Sequence, residues 1–144
     1  MKIMVSACLL GDNVKYNGGN NQNNELIVFL KDYEVIKVCP ECLGGLLIPR
    51  VPAEIIDNKV INKEGIDVTN KYNLGALKTL EIAKINNIKV AILKRNSPSC
   101  GSGLVYDGTF TNKLKEGNGK TAELLQMNGI VVLNEDNYHE YNWM

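Results

Sequence analysis

The chain has no excess of either charge. Sixteen Lys and Arg stand against 16 Asp and Glu, and the sequence pI is near 6.6. A nucleic-acid footprint needs a basic surplus or a clustered basic face, and neither is visible. No apolar run approaches the roughly 20 residues that span a bilayer. The opening apolar stretch stops at Gly11-Asp12, too early for the core of a secretory leader. Histidine is nearly absent: His139, near the C-terminus, is the only one. Without an imidazole beside a nucleophile, Ser/His and Cys/His hydrolases lose their base. There are only four cysteines and no internal repeat. A chain of this size buries roughly 68% of its unfolded surface and needs no staples to fold. The expectation is one domain over residues 1–144 with reduced thiols, cytoplasmic, as a monomer or weak homodimer, with neither membrane nor nucleic acid as partner.

What is present alternates strand and helix. Residues 2–8 read as a strand, followed by a long Asn- and Gly-rich loop to residue 24. Long loops in compact domains are often functional. A short helix over 24–32 and a second strand over 34–38 follow. Between Pro40 and Pro52, Gly44, Gly45 and Pro49 predict no helix. Residues 54–57 and 59–63 form an antiparallel flap around Asn58. Asp67 or Thr69 caps a helix over 70–86 whose buried stripe is Tyr72, Leu74, Ala76, Leu77, Leu80, Ile82 and Ala83. The best strand is 88–93. A second long loop, with a strand or hairpin near 104–106, leads to a helix over 121–128, Gly129 as its stop, and a strand over 130–133. One helical turn is possible in the tail. This alternation predicts a compact, three-layer, Rossmann-like α/β domain, mostly parallel in its sheet, with a small antiparallel flap. Ligands of such sheets bind outside the carboxyl ends of the strands.

The cysteines fall at those ends. Cys8 and Cys39 close the first two strands, and Cys100 lies in the loop after the third, so a parallel sheet brings three thiols to one edge. Cys39 and Cys100 adjoin Pro40 and Gly101, and Cys8 stands three residues before Gly11 of the loop that follows, unlike a cysteine used as a small core residue. Cys39-Pro40-Glu41-Cys42 is a Cys-x-x-Cys pair open to three readings. A thioredoxin-like couple wants Cys39 at a helix N-terminus. A structural zinc site wants four thiolates, normally as two close pairs. An iron–sulfur cluster takes thiolates too, and three ligands leave one iron of a cubane open.

Other candidates surround the same mouth. In Ser97-Pro98-Ser99-Cys100-Gly101, either serine could donate to a bound ligand, and successive N–H groups could form an anion nest. Glu41 lies between two thiols. Negative neighbours and burial favour its neutral form, which suits proton donation. Arg50 is placed to pair with a carboxylate, and Lys94 with Arg95 leaves the third strand where an anionic or carbonyl-bearing ligand would sit. Gly117-Asn118-Gly119-Lys120-Thr121 imitates a phosphate loop, but the full spacing needs Gly where this chain has Leu114. It reads better as a helix-capping turn.

Taken together, Val5-Ser6-Ala7-Cys8-Leu9-Leu10-Gly11 with Val14-Lys15-Tyr16-Asn17-Gly18, Val38-Cys39-Pro40-Glu41 with Gly44-Gly45-Leu46 and Pro49-Arg50, and Leu93-Lys94 with Ser97-Pro98-Ser99-Cys100-Gly101 resemble the DUF523 family. Tyr106-Asp107-Gly108-Thr109-Phe110 and Gly117-Asn118-Gly119-Lys120-Thr121-Ala122 extend the resemblance over nearly the whole chain. That family includes the thiouracil desulfidases. The resemblance implies an oxygen-labile [4Fe-4S] cluster held by Cys8, Cys39 and Cys100, with Glu41 and Ser97 catalytic. It also implies a small thiolated nucleobase or related thio-compound as substrate. Lys94, Arg50 and Ser99 are the expected substrate- or anion-binding groups. Cys42 stands where the family has an aliphatic residue, so it is the odd thiol. A sulfur-transfer or persulfide-handling protein and a non-catalytic metal-binding module are the alternatives.

Overall fold

A computed structural model describes residues 1–143. In chain order the elements are β1 (Lys2–Ser6), α1 (Asn24–Phe29), β2 (Glu34–Val38), α2 (Pro40–Leu43), β3 (Ala53–Ile56), β4 (Lys59–Asn62) and α3 (Thr69–Ile85). Then come β5 (Val90–Ile92), β6 (Leu104–Tyr106), β7 (Leu114–Glu116), α4 (Lys120–Met127) and β8 (Val131–Leu133). The main sheet is four-stranded and parallel, in the order β2-β1-β5-β8. β3 with β4, and β6 with β7, form two small antiparallel pairs. The alternation of side chains along a strand makes the layers. Met4, Ala91 and Val132 face α3 and α4 through Leu80, Ala83, Ala122 and Leu125. Ile3, Val5, Val90 and Ile92 face Leu26, Leu30 and Tyr138 on the opposite side. The predicted three-layer α/β architecture with its antiparallel flap is what the chain adopts.

Details differ from the sequence-based expectation. β1 stops at Ser6, and Ala7–Leu10 is a 3-10 turn. Gly11, at φ 98°, ends that turn in a conformation glycine alone adopts freely. A helix does exist after Cys39: α2 is one turn with Pro40 in its first position, where a missing N–H costs nothing, and it stops at Gly44. The flap turn is tighter than expected, Asp57 and Asn58 both having positive φ, as a two-residue hairpin requires. Val68 caps α3, and the Asp67 carboxylate accepts from the Thr69 N–H at 2.9 Å. Its buried face uses small residues, Gly75, Ala76 and Thr79, while Leu74 and Leu77 lie exposed. The turn expected in the tail is a 3-10 turn, Tyr138–Glu140. No helix among the described residues is long and apolar enough to cross a membrane.

Small residues on α3 let α2 approach very closely. A Cβ on Gly75 would lie 2.0 Å from the Pro40 carbonyl oxygen, and one on Gly44 would lie 2.0 Å from the Lys71 carbonyl oxygen. Backbone meets backbone here, which sets the height at which α2 presents the residues after β2.

Candidate active site

The sheet order reverses at β1: the chain first adds β2 on one side, then β5 on the other. The crevice at the carboxyl ends of β1 and β5 is therefore where a ligand site belongs. A cavity of about 450 Å³ opens there. Cys8 enters it from the turn after β1, Cys39 from the end of β2, and Cys100 from the loop after β5, with Glu41, Arg50 and Ser97 on the same walls. Three thiols separated by up to 92 positions share one space because three parallel strands end at one edge.

The Cys100 loop is held from several sides. Ser97 Oγ accepts from the Cys100 N–H at 2.7 Å, which leaves the Ser97 O–H free to donate. The amides of Gly119, Lys120 and Thr121 donate to the carbonyls of Gly101, Pro98 and Ser99 at 2.7–2.9 Å. The phosphate-loop look-alike is thus a brace for Cys100, its N–H groups already used. Ser6 Oγ lies 3.5 Å from Cys100 Sγ and accepts from the Lys94 N–H at 2.9 Å, tying β1 to the loop after β5.

Burial dominates the state of the thiols. It pushes Cys100 up to about 12, against a hydrogen bond with Ser6 that acts the other way, and Cys39 up to about 12. Cys8 is also raised by burial, which outweighs its hydrogen bond to Asn21 and the Lys94 charge. Such thiols stay protonated until a metal supplies the countercharge. Among the described residues, no three Cys, His, Asp or Glu side chains converge as ligands of one metal ion do. Cys42 is outside the cavity wall and is hydrogen-bonded with Cys39, both thiols being free, so the four-thiolate tetrahedron of a zinc site is not assembled. A cuboidal cluster is instead gripped at separate corners, which suits thiols spread around one cavity. The donor set fits it as well: three soft thiolates and no imidazole.

Glu41 is the most closely held carboxylate in the cavity. Its Oε1 accepts from the Tyr72 hydroxyl at 2.8 Å, and its Oε2 forms an ion pair with Arg50. The Arg50 side chain is only 7% exposed and also donates to the Val14 carbonyl at 2.9 Å, while its Nε is buried without a partner. Burial by itself would lower the Arg50 value. The adjacent Glu41 charge more than offsets it and holds the guanidinium charged. Tyr72 is pushed far up by burial and by Glu41, so it remains a donor. Both Glu41 oxygens therefore receive hydrogen bonds.

The other expected site residues divide. Lys94 lines the cavity and pairs with Glu135 at 2.9 Å. Arg50 lines it too, but its charge serves Glu41. Ser99 is 1% exposed, lies outside the cavity wall and shares a hydrogen bond of 2.8 Å with Thr121 Oγ1. Its hydroxyl braces α4 and does not reach a ligand. Sequence reasoning missed Tyr72 and Ser6. Tyr72 reads as one more apolar position of α3, and Ser6 as a strand residue. Only the Ser6-x-Cys8 adjacency hinted at a polar role.

Residues 3–137 match the family model described as 2-thiouracil desulfurase. The uncharacterized protein YbbK of Bacillus subtilis (strain 168) is 41% identical over 148 residues, which cover 96% of this chain and 98% of that protein. The solved structure of the [4Fe-4S]-dependent thiouracil desulfidase TudS is similar at a TM-score of 0.90 and 42% identity. That match covers 96% of this chain and 93% of the other.

Proposed function

The chain belongs to the 2-thiouracil desulfurase family, and from that premise we propose that it is an iron–sulfur-dependent desulfidase removing sulfur from a 2-thiouracil-like base. The observation that carries the reading is the meeting of Cys8, Cys39 and Cys100 with Glu41 and Ser97 on the walls of one cavity. Those three cysteines would hold a [4Fe-4S] cluster. When bound, it supplies an iron with no protein ligand, a Lewis acid for the sulfur of the substrate.

The remaining work falls to side chains. The net reaction exchanges a thioxo sulfur for the oxygen of water and gives hydrogen sulfide, with no change in oxidation state. Two protons must travel from the water to the departing sulfur. Glu41 is the carrier: as a carboxylate it accepts a proton from the attacking water, then returns it towards sulfur. Arg50 and Tyr72 fix its orientation, the former as a charge-assisted partner. The free O–H of Ser97 polarises the substrate or holds the water. Lys94 adds positive charge beside the departing sulfur until its second proton arrives, and its pairing with Glu135 fixes the position of the ammonium group. Cys42 is a packing residue in this scheme.

Within the same reading, the substrate is a small thiolated base. The enzyme works in the cytoplasm, where its four unpaired thiols stay reduced. The test is anaerobic reconstitution, iron and sulfide counting, and an assay of 2-thiouracil conversion. One hydrosulfide per uracil is expected; cluster-loaded protein that leaves 2-thiouracil untouched would refute the proposal.

A further inference from the structure

The cavity has a second wall, built by the two antiparallel pairs and not by the strand ends. Glu54, on β3, lines it and is 8% exposed, yet no cation pairs with it among the described residues. Its Oε1 instead accepts from the N–H groups of Gly108 at 2.9 Å and Phe110 at 3.1 Å. The turn it grips sits hard against the flap. A Cβ on Gly108, at φ 95°, would lie 2.6 Å from the Ile56 side chain, and Lys115 Nζ donates to the Ile55 carbonyl at 2.7 Å. Asp107 stiffens the same turn by accepting from the Thr109 N–H and hydroxyl at 3.0 and 2.6 Å.

This grip holds Phe110 in the left-handed region, at φ 57°; Asn112, at φ 62°, shares that region two residues on, where asparagine is readily accommodated. For a bulky side chain that conformation is strained and persists only where its surroundings impose it. Both residues line the cavity. Among the described residues the Phe110 ring packs on no other aromatic ring and belongs to none of the three apolar cores, unlike Phe29, the only other Phe in the sequence. Among the described residues no hydrogen bond engages the amide of Asn112, an exposed side chain at the mouth of the cavity. An aromatic face held in a strained conformation, with a donor–acceptor amide two residues on, supplies the two elements that recognise a flat heterocycle.

We propose that Phe110 and Asn112 form the base-recognition subsite, the ring stacking on the face of a pyrimidine and the amide reading its N–H and C=O edge, with Glu54 as the positioning residue that holds Phe110 in place. The proposal rests on the desulfidase reading above and deepens it by naming the residues that recognise the base.

The test uses the reconstituted full chain and two probes: 2-thiouracil for turnover and uracil for binding. Phe110→Leu keeps apolar bulk and removes the aromatic face. It should raise the KM for 2-thiouracil and weaken uracil binding at least tenfold, with iron and sulfide content unchanged, and Phe110→Tyr should restore both. Asn112→Ala should weaken uracil binding severalfold. Glu54→Ala should shift KM more than kcat, and combined with Phe110→Leu it should add little to that variant alone, because both act through one ring. Unchanged KM and uracil affinity in Phe110→Leu would overturn this assignment while leaving the desulfidase reading intact. Loaded wild-type protein that releases no hydrosulfide from 2-thiouracil would instead bring down the reading on which it rests.

Discussion

Gly75→Ala is the substitution for which a local and a tertiary argument give opposite signs. In the middle of α3, alanine should help by about 1 kcal/mol, since glycine is the poorer helix former. The Pro40 carbonyl oxygen, however, lies 2.0 Å from where the new Cβ would go. Carbon and carbonyl oxygen ordinarily meet at about 3.3 Å, so α2 must retreat by more than 1 Å. Overpacking costs about 1–3 kcal/mol, and a contact with backbone, which has no rotamer to yield, belongs at the upper end. The net expectation is a loss of about 2 kcal/mol, or a Tm lower by about 4–8 °C in a domain of this size. Because α2 carries Glu41 and follows Cys39 directly, iron retention after reconstitution should fall as well. Gly44→Ala meets the Lys71 carbonyl at the same distance with φ −77°, a backbone that any residue tolerates, and should behave alike. Thermal and urea unfolding of the metal-free protein, with iron counting of the loaded protein, decide the matter. A raised Tm with full iron content would refute the claim that close backbone contact places the site.

Three further outcomes are expected. Replacing Cys8, Cys39 or Cys100 with Ser should each abolish the iron and sulfide content measured after anaerobic reconstitution, whereas Cys42→Ser should keep it, since Cys42 is off the cavity wall. Glu41→Gln should retain the cluster, seen by EPR, and lower kcat by about 10²–10⁴-fold, the range attributed to a lost acid–base group. Asp67 is held below the usual carboxylate range by hydrogen bonds from the Thr69 hydroxyl and N–H. Its stabilising effect is therefore present above the unfolded value near 3.8 and is lost as pH falls through the lower folded value. Urea titrations at several pH values should show Asp67→Ala less stable than wild type at neutral pH, with the difference closing in acid.

The parts of this molecule that were legible in the sequence obey short-range rules. Val90-Ala91-Ile92 is apolar on both faces and can only be a buried parallel strand. Cys8, Cys39 and Cys100 follow from such strands, so placing the strand ends places the thiols. Arg50 was recognisable as a partner for some carboxylate, with Glu54 the acid nearest to it in the chain, and it is the fold that gives it Glu41, nine residues away. Where spacing ran out, so did the reading. Ser97 and Ser99 flank one proline and look equivalent, yet one faces the cavity and the other bonds Thr121, a choice made by the packing of α4 against the loop. Leu74 and Leu77 fit an apolar stripe, but the approach of α2 rewards Gly75 and Ala76 instead. Tyr72 looked like core, and its hydroxyl acquires a partner only because α2 and α3 touch.

The same distinction separates the two walls of the cavity. The thiol wall depends on where strands stop, a property written locally. The opposite wall depends on Glu54 meeting the amides of residues 54 and 56 positions away, and nothing near Phe110 announces that contact. Loop closure over such distances adds only slowly to the entropic cost of folding, so the second wall can vary among chains that keep the first. If Phe110 and Asn112 choose the base as proposed, sulfur removal and base choice lie on separately encoded surfaces. On this argument, exchanging the 106–112 turn should change which heterocycle is accepted while leaving cluster binding as it was.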